Sequence, residues 1–245
     1  PTSWPVKPSD EEDELMKQVM EDVEEGAMTP PRVVDHAFLL AHGVAKRIPV
    51  VTFRTDGTKK VRGVDHFSEN GVKAITGYEE KVKTQGMDYL IVMATVLMES
   101  GLQARMSKRD VKRAFRNCRS NQTFKEFMSI VFPYKGQVMA AQHLAAPFGS
   151  VSAVYAWDRL PNAIANIILV AGRAAIATWV DDFFCSHRRD IEYHGMRMLD
   201  ELLGLLGLST DESKAETGTT MMEVLGVEAH INDEERWIST RLRRW

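Results

Sequence analysis

The chain has 245 residues, 44% of them hydrophobic and 27% charged, enough apolar side chain for a packed core and too much for an unfolded tail. No run of about 18 apolar residues is present, and the opening Pro-Thr-Ser-Trp-Pro lacks the basic-then-apolar layout of a signal peptide. Both observations argue against a membrane span or secretion, and for an intracellular protein of cytoplasm or nucleus.

In chain order, Ser9-Asp10-Glu11-Glu12 reads as a capping box that opens an acidic helix, with Leu15, Met16, Val19, Met20 and Val23 on one face and Gly26 as its stop. Thr29-Pro30-Pro31 breaks the chain. Val33, Val34, Phe38, Leu39 and Leu40 then mark a second helical stretch before Gly43. Residues 48–53 and 60–64 flank Asp56-Gly57, the strongest hairpin signal in the chain. Met87 to Met98 reads as a helix closed by Gly101, and the alternation from Leu102 to Met106 predicts a strand ending at Asp110. Strands over 127–132 and 138–144 join through Tyr134-Lys135-Gly136-Gln137. A long helix is predicted from Val151 to Val170, kinked or broken near Arg159-Leu160 by Pro161. Ile191, Met198, Leu199, Leu202, Leu203 and Leu206 mark a helix ending near Gly207, and residues 222–231 a last strand. The layout is α+β, helices on one face of an antiparallel sheet.

The net charge of −3 hides a division: residues 1–26 hold nine Asp or Glu against Lys7 and Lys17, which leaves the remainder at +4. Between Gln103 and Arg119 stand Arg105, Lys108, Arg109, Lys112, Arg113, Arg116 and Arg119 against the single acid Asp110. Such a cluster suits phosphate contacts, and its plainer reading is a solvated basic surface. Cys118 and Cys185 are too few and too distant for a disulfide framework or zinc site and read as buried thiols, while the seven histidines form no recurring ligand spacing. The acidic pair Asp181-Asp182 is flanked by Ile176, Trp179, Val180, Phe183 and Phe184, as in a tight turn between two buried strands. Carboxylates in such a place are costly unless a cation sits beside them. Asp110 and Asp181 on neighbouring strands, with Asp182 weaker or behind them, suit two-metal phosphoryl transfer, in which two Mg²⁺ ions (Mn²⁺ being possible) about 3.5 to 4 Å apart are held by carboxylate oxygens from both strands.

Asp110-Val111-Lys112-Arg113-Ala114-Phe115 resembles the first palm motif of the reverse transcriptases of retroelements, Pro147-Phe148-Gly149 the second, and Trp179-Val180-Asp181-Asp182 the third. Leu206-Gly207-Leu208 with Glu212-Ser213-Lys214 is similar to the fourth, Val224-Leu225-Gly226-Val227 to the primer-gripping fifth, and Lys60 to Ser68 to a fingers strand. The resemblance spans roughly residues 48 to 231. It implies a polymerase palm with a small fingers hairpin lobe: a helical N-terminal segment over 1–47, a fingers-like segment over 48–101, the palm over 102–231 and a tail over 232–245. It also implies roles. Asp110, Asp181 and Asp182 would be metal carboxylates, Lys214 would protonate or neutralise the leaving pyrophosphate, and Arg62 with Lys59 or Lys60 would clasp the triphosphate. Val111, Phe148 and Gly149 would border the nucleotide, and Phe115 would stack under the sugar and exclude a 2′-hydroxyl. Arg105, Lys112, Arg113 and Arg116, with Leu225 and Gly226, would hold the nucleic acid, and the partners would be a primed RNA or DNA template and a deoxynucleoside triphosphate.

The chain departs from the family pattern at Trp179, where Tyr is usual, and at Arg109, where a smaller residue is common. Fourteen residues after Ile231 are too few for a helical thumb, and there is no room for a ribonuclease H or integrase domain. The reading in another class is a catalytically silent palm, repurposed to bind nucleic acid or protein. An RNA-dependent RNA polymerase fits less well, since Val180 stands where that class typically has Gly.

Overall fold

The structure, a computed structural model, describes residues 10–242 except 54–56, 69, 73–75, 78–80, 126, 192–193, 233 and 236. Its elements are α1 (Glu12–Glu24), β1 (Arg32–Val33), α2 (His36–Ala41), β2 (Ala45–Phe53), β3 (Lys59–Asp65), α3 (Met87–Glu99), β4 (Ala104–Asp110), β5 (Ser129–Tyr134), β6 (Gln137–Gln142), α4 (Val151–Gly172), β7 (Ala177–Trp179), β8 (Asp182–Arg188), α5 (His194–Leu205), β9 (Glu216–Thr219), β10 (Met221–Val224), β11 (Val227–Asn232) and β12 (Trp237–Leu242). Among the described residues no helix is long and apolar enough to cross a membrane. The chain divides into two discontinuous units, Pro1–Lys81 with Phe115–Ala156 and Val82–Ala114 with Trp157–Trp245.

In the first unit the sheet runs β1-β6-β5-β2-β3. All pairs are antiparallel but one: β2 runs parallel to β5 through Ala45↔Ile130 and Lys46↔Val131. The β5–β6 hairpin turns on Lys135 and Gly136, at φ 50° and 75°, the left-handed pair that a two-residue turn of matching twist requires. Val19 of α1 packs with Met28, Met128, Ile130 and Phe132, each burying apolar surface worth about 1.5–3 kcal/mol for a large side chain. Asp22, at helical spacing from Leu15 and Val19, lies on the same buried face of α1.

That carboxylate begins a chain of buried polar groups. Asp22 accepts from Arg116 at 2.5 Å, Arg116 meets His143 Nδ1 at 2.7 Å, and His143 Nε2 meets Asp65 Oδ2 at 2.9 Å. Asp65 also accepts two bonds from Arg47, at 2.8 and 2.9 Å. All five residues are at least nine-tenths buried. A guanidinium has only donors, so Nδ1 of His143 must accept, and its proton sits on Nε2, which donates to Asp65. The imidazole is thereby held neutral: burial pushes its pKa down to about 4, with Arg116 and Arg47 adding to the effect against the pull of Asp65. Between its ordinary value near 6.5 and about 4, the unfolded chain binds a proton that the folded chain refuses, so this residue's contribution to stability falls as pH falls. Asp65, held well below the usual carboxylate range by Arg47 and His143 in spite of burial, keeps its charge throughout that window. The difference in unfolding free energy between the wild type and His143→Gln is therefore expected to shrink by on the order of 2 kcal/mol from pH 7 to pH 4.5, as read by urea denaturation.

In the second unit β7-β8-β4-β9 form one antiparallel sheet and β10-β11-β12 another. Leu90, Ala94 and Met98 of α3 pack with Met106, Phe184 and Ile231, and Ser186 Oγ donates to the Leu90 carbonyl at 2.9 Å. These contacts fix β4 and β8, the two strands that carry the acids.

Several expectations shift. Val33 belongs to a two-residue strand paired with Met139, and the following helix starts only at His36, capped by Asp35. Helix α4 runs through Pro161 without the expected break, and ends at Gly172 rather than Val170. Ile191 lies in a short 3₁₀ turn outside α5. The last predicted strand is two, reversing at Leu225-Gly226, and β12 adds a third where a tail was expected. Cys185 is buried, its thiol pushed up to about 12, whereas Cys118 is half-buried. Ser9 of the capping box and Asp56 of the hairpin turn lie outside the described residues.

Candidate active site

The acidic turn is built against its own preference. Trp179 pairs with Asp182 across β7 and β8, leaving Val180 and Asp181 as a two-residue loop. Val180 has φ 54°, at a turn position that usually takes Gly, and a β-branched residue there costs about 1–2 kcal/mol. Two bonds hold the loop in place: Trp157 Nε1 donates to the Val180 carbonyl at 2.6 Å, and the Val111 amide donates to the Asp181 carbonyl at 2.8 Å. Phe183 and Phe184, fully buried, anchor the strand that leaves it. Trp157 was not singled out from sequence, and its signal there is faint: one indole among apolar residues of a long helix.

Across the sheet, Asp110 at the end of β4 stands opposite Asp182 at the start of β8. Asp110 is buried and accepts from Lys214 Nζ at 2.7 Å. Burial, then Asp181 and Asp110, push the carboxyl of Asp182 up to about 6, against the opposing pull of Lys108 and Lys214. Asp181 is raised too, chiefly by burial, with its own backbone amide opposing and Asp110 adding. Asp110 thus disfavours the charge of both acids of the turn, and Asp181 that of Asp182. Lys214, which burial alone would lower, is raised instead by its bond to Asp110 and by Asp211 and Asp181. Among the described residues no group of three or more His, Cys, Asp or Glu side chains is arranged to hold a metal ion. Lys214 supplies part of the positive counter-charge that these acids call for.

A cleft of about 210 Å³ brings Asp110, Asp182 and Lys214 together with Lys108, Leu225 and Gly226. Leu225 and Gly226, at φ 54° and 74°, form the two-residue turn of the β10–β11 hairpin, the expected primer grip. Lys108 was noted only as one basic residue among seven, yet its Nζ spans Glu216 at 2.8 Å and the Glu223 carbonyl at 2.7 Å, on the wall of this cleft. The first unit has a larger cleft, about 520 Å³, lined by Thr29, Arg32, Phe38 and His42 among others, but none of the acids belongs to it.

The other predicted residues divide. In the first unit Phe115 and Phe148 meet edge to face, ring centroids 5.2 Å apart, with Phe148 half exposed. Gly149 has φ 90°, and a Cβ there would stand 2.9 Å from the Asp65 carbonyl oxygen. Lys60 and Arg62 lie on β3, where the exposed Arg62 donates to Thr52 Oγ1 at 3.2 Å, and neighbouring Lys59 pairs with Glu11 at 2.7 Å. Val111 has a buried side chain, and its amide braces the acidic turn.

The basic cluster divides as well. Arg116 is buried against Asp22 and His143. Arg109 forks onto Asp200 at 2.9 and 3.0 Å, and Arg119 donates to the Gly26 carbonyl. Lys112 is exposed, while Arg105 and Arg113 are half-buried, with an Arg105 nitrogen on the Ala104 carbonyl. Much of this charge serves the fold.

No protein-family profile matches the chain, and no curated protein matches it in sequence. Among solved structures it is similar to the crystal structure of the prototype foamy virus protease-reverse transcriptase, with a TM-score of 0.60 at 17% identity, over 91% of this chain. The fold is retroviral polymerase-like. The match covers 26% of that chain, so this chain spans about a quarter of its structural neighbour's length. At this identity the likeness is one of architecture, and the chemistry rests on the residues described above.

Proposed function

We propose that this chain is an RNA-directed DNA polymerase, adding deoxynucleotides to a primer 3′-hydroxyl on an RNA or DNA template. The observation that carries the reading is Asp110 opposite Asp182 across β4 and β8, with Asp181 next to Asp182 in a strained turn and a cleft lined by Asp110 and Asp182. Asp110 and Asp181, with Asp182 as the weaker partner, would hold two Mg²⁺ or Mn²⁺ ions, which when bound activate the 3′-hydroxyl and neutralise developing negative charge. Lys214 stands on Asp110 as an ammonium, well placed in charge to give a proton or a counter-charge to departing pyrophosphate. Phe115, against Phe148, would stack under the sugar and exclude a 2′-hydroxyl, and Arg62 with Lys60 would receive the triphosphate. Lys112, Arg105 and Arg113 remain the phosphate contacts, with Leu225-Gly226 gripping the primer.

One observation favours the silent alternative: Lys214 already neutralises Asp110, as a substitute for an ion would. Primer extension decides between them. With an RNA template, annealed DNA primer, deoxynucleotides and Mg²⁺, the protein is expected to lengthen the primer, and chelation by EDTA to stop it. Primer–template binding without any extension would establish the silent reading instead.

A further inference from the structure

The buried chain of polar groups in the first unit and the aromatic pair there form one closed circuit. Arg116 lies in the 3₁₀ turn Ala114–Asn117, directly after Phe115, and its guanidinium is held between Asp22 and His143. His143 passes the contact to Asp65, whose carboxylate is clamped by Arg47. The backbone of Asp65 carries it further: its carbonyl oxygen lies where Gly149 leaves room and any side chain would collide at 2.9 Å. Gly149 follows Phe148, and Phe148 meets the ring of Phe115 at 5.2 Å. The path thus returns to its start.

Such a circuit couples two segments that would otherwise drift independently. A surface pair of aromatic rings, one of them half exposed, has little packing to fix its separation. Here each ring's neighbour in sequence reaches the buried chain: Arg116, after Phe115, through its guanidinium, and Gly149, after Phe148, through its close approach to the Asp65 carbonyl. His143 is the middle link, and its two nitrogens are not equivalent, one accepting from Arg116 and the other donating to Asp65. A side chain without that polarity cannot hold both neighbours.

We infer that the Arg47–Asp65–His143–Arg116–Asp22 chain is a positioning device for the Phe115–Phe148 pair, and that through it His143 sets the discrimination between deoxyribose and ribose. This rests on the polymerase reading above and names residues behind its sugar contact. None of the five touches substrate; they act by holding the two rings at one spacing. A loosened pair admits a 2′-hydroxyl.

The test compares His143→Leu, which has neither donor nor acceptor, with His143→Gln, which keeps one of each. Two readouts are taken on the full chain. The first is the ratio of kcat/KM for a deoxynucleotide to that for its ribonucleotide: H143L is expected to lower it by about tenfold, chiefly through KM, and H143Q to restore most of it. The second needs no catalysis. Hydrogen exchange at the amides of Cys118 and Ala146, bonded to the Phe115 and Cys118 carbonyls, is expected to quicken in H143L and recover in H143Q, while the Val111 amide is unmoved. Arg116→Lys, which keeps a cation for Asp22 and gives up the second arm to His143, serves if H143L does not fold and is expected to behave like it. Unchanged exchange at Cys118 and Ala146 in a folded variant overturns the coupling. Altered exchange with an unchanged sugar ratio overturns the specificity role. A wild type without polymerase activity sinks the polymerase reading, and with it the sugar role, while the exchange measurement still decides whether the circuit positions the rings.

Discussion

Replacing Asp181 by Asn is expected to cut metal-dependent nucleotide incorporation by more than about 100-fold and, in the same protein, to raise its stability without metal. The two effects have one cause. In the absence of an ion, burial and the neighbouring Asp110 disfavour the Asp181 charge, so its removal relieves the folded state. Asp182 allows a magnitude. Its carboxyl, pushed up to about 6 by burial, Asp181 and Asp110, is half-buried, and after allowance for solvent screening Asp182→Asn should gain on the order of 1 kcal/mol at neutral pH, a few degrees in melting temperature. A folded state whose carboxyl titrates high takes up its proton first as pH falls, so wild-type stability recovers through pH 6 towards the ordinary carboxylate value and the gain shrinks. Mg²⁺ should reverse the order, stabilising the wild type and not the Asn variants. Thermal melts with and without Mg²⁺, set beside primer extension, check both halves. An Asp181→Asn protein that incorporates at the wild-type rate would remove the acids from the chemistry.

The acids were legible because their local signal was strong: an Asp pair amid Trp179, Val180, Phe183 and Phe184 has few explanations, and Asp110 ends a strand of clean alternation. Sequence also carried the pairing of β2 with β3 and of β5 with β6, since each pair of strands flanks a glycine-bearing turn signal. The Leu225-Gly226 turn was as clear, yet the strand reading of residues 222–231 ran across it, because apolar residues flank it on both sides. Non-local geometry was out of reach. Nothing in sequence shows that β2 runs parallel to β5, or that the first unit takes its residues from both sides of β4.

Charge misled where it was counted rather than placed. Arg109, Arg116 and Arg119 looked like a phosphate-binding run, but each meets a partner far along the chain: Asp200, Asp22 and the Gly26 carbonyl. A faint signal for one of them was present. Asp22 falls at helical spacing on the apolar stripe of Leu15 and Val19, and an acid there needs a buried cation. His143, within the apolar run of β6 and its exit, is the same kind of anomaly, and lack of metal-ligand spacing hid its real role.

Asp65→Leu is expected to cost about 3–5 kcal/mol, the largest stability loss of any single change in the first unit. The carboxylate accepts two bonds from Arg47 and one from His143 at 2.8–2.9 Å, and with it gone a guanidinium is left with almost no access to water to compensate. The loss is mostly the cost of that stranded charge. Two salt-bridged charges in a dry interior are expensive to bring together, so the intact pair contributes far less than its rupture costs. A second substitution separates the two quantities. Arg47→Met, made in the Asp65→Leu protein, removes the stranded cation and is expected to recover more than half of the loss, although it deletes a further native interaction. Urea denaturation followed by far-UV circular dichroism, over the four proteins of the cycle, measures the coupling directly. Additive losses would mean that Arg47 finds another partner once Asp65 is gone; the recovery expected here would mean that the network stabilises little and is kept because it fixes which neighbours Asp65, His143 and Arg116 must have.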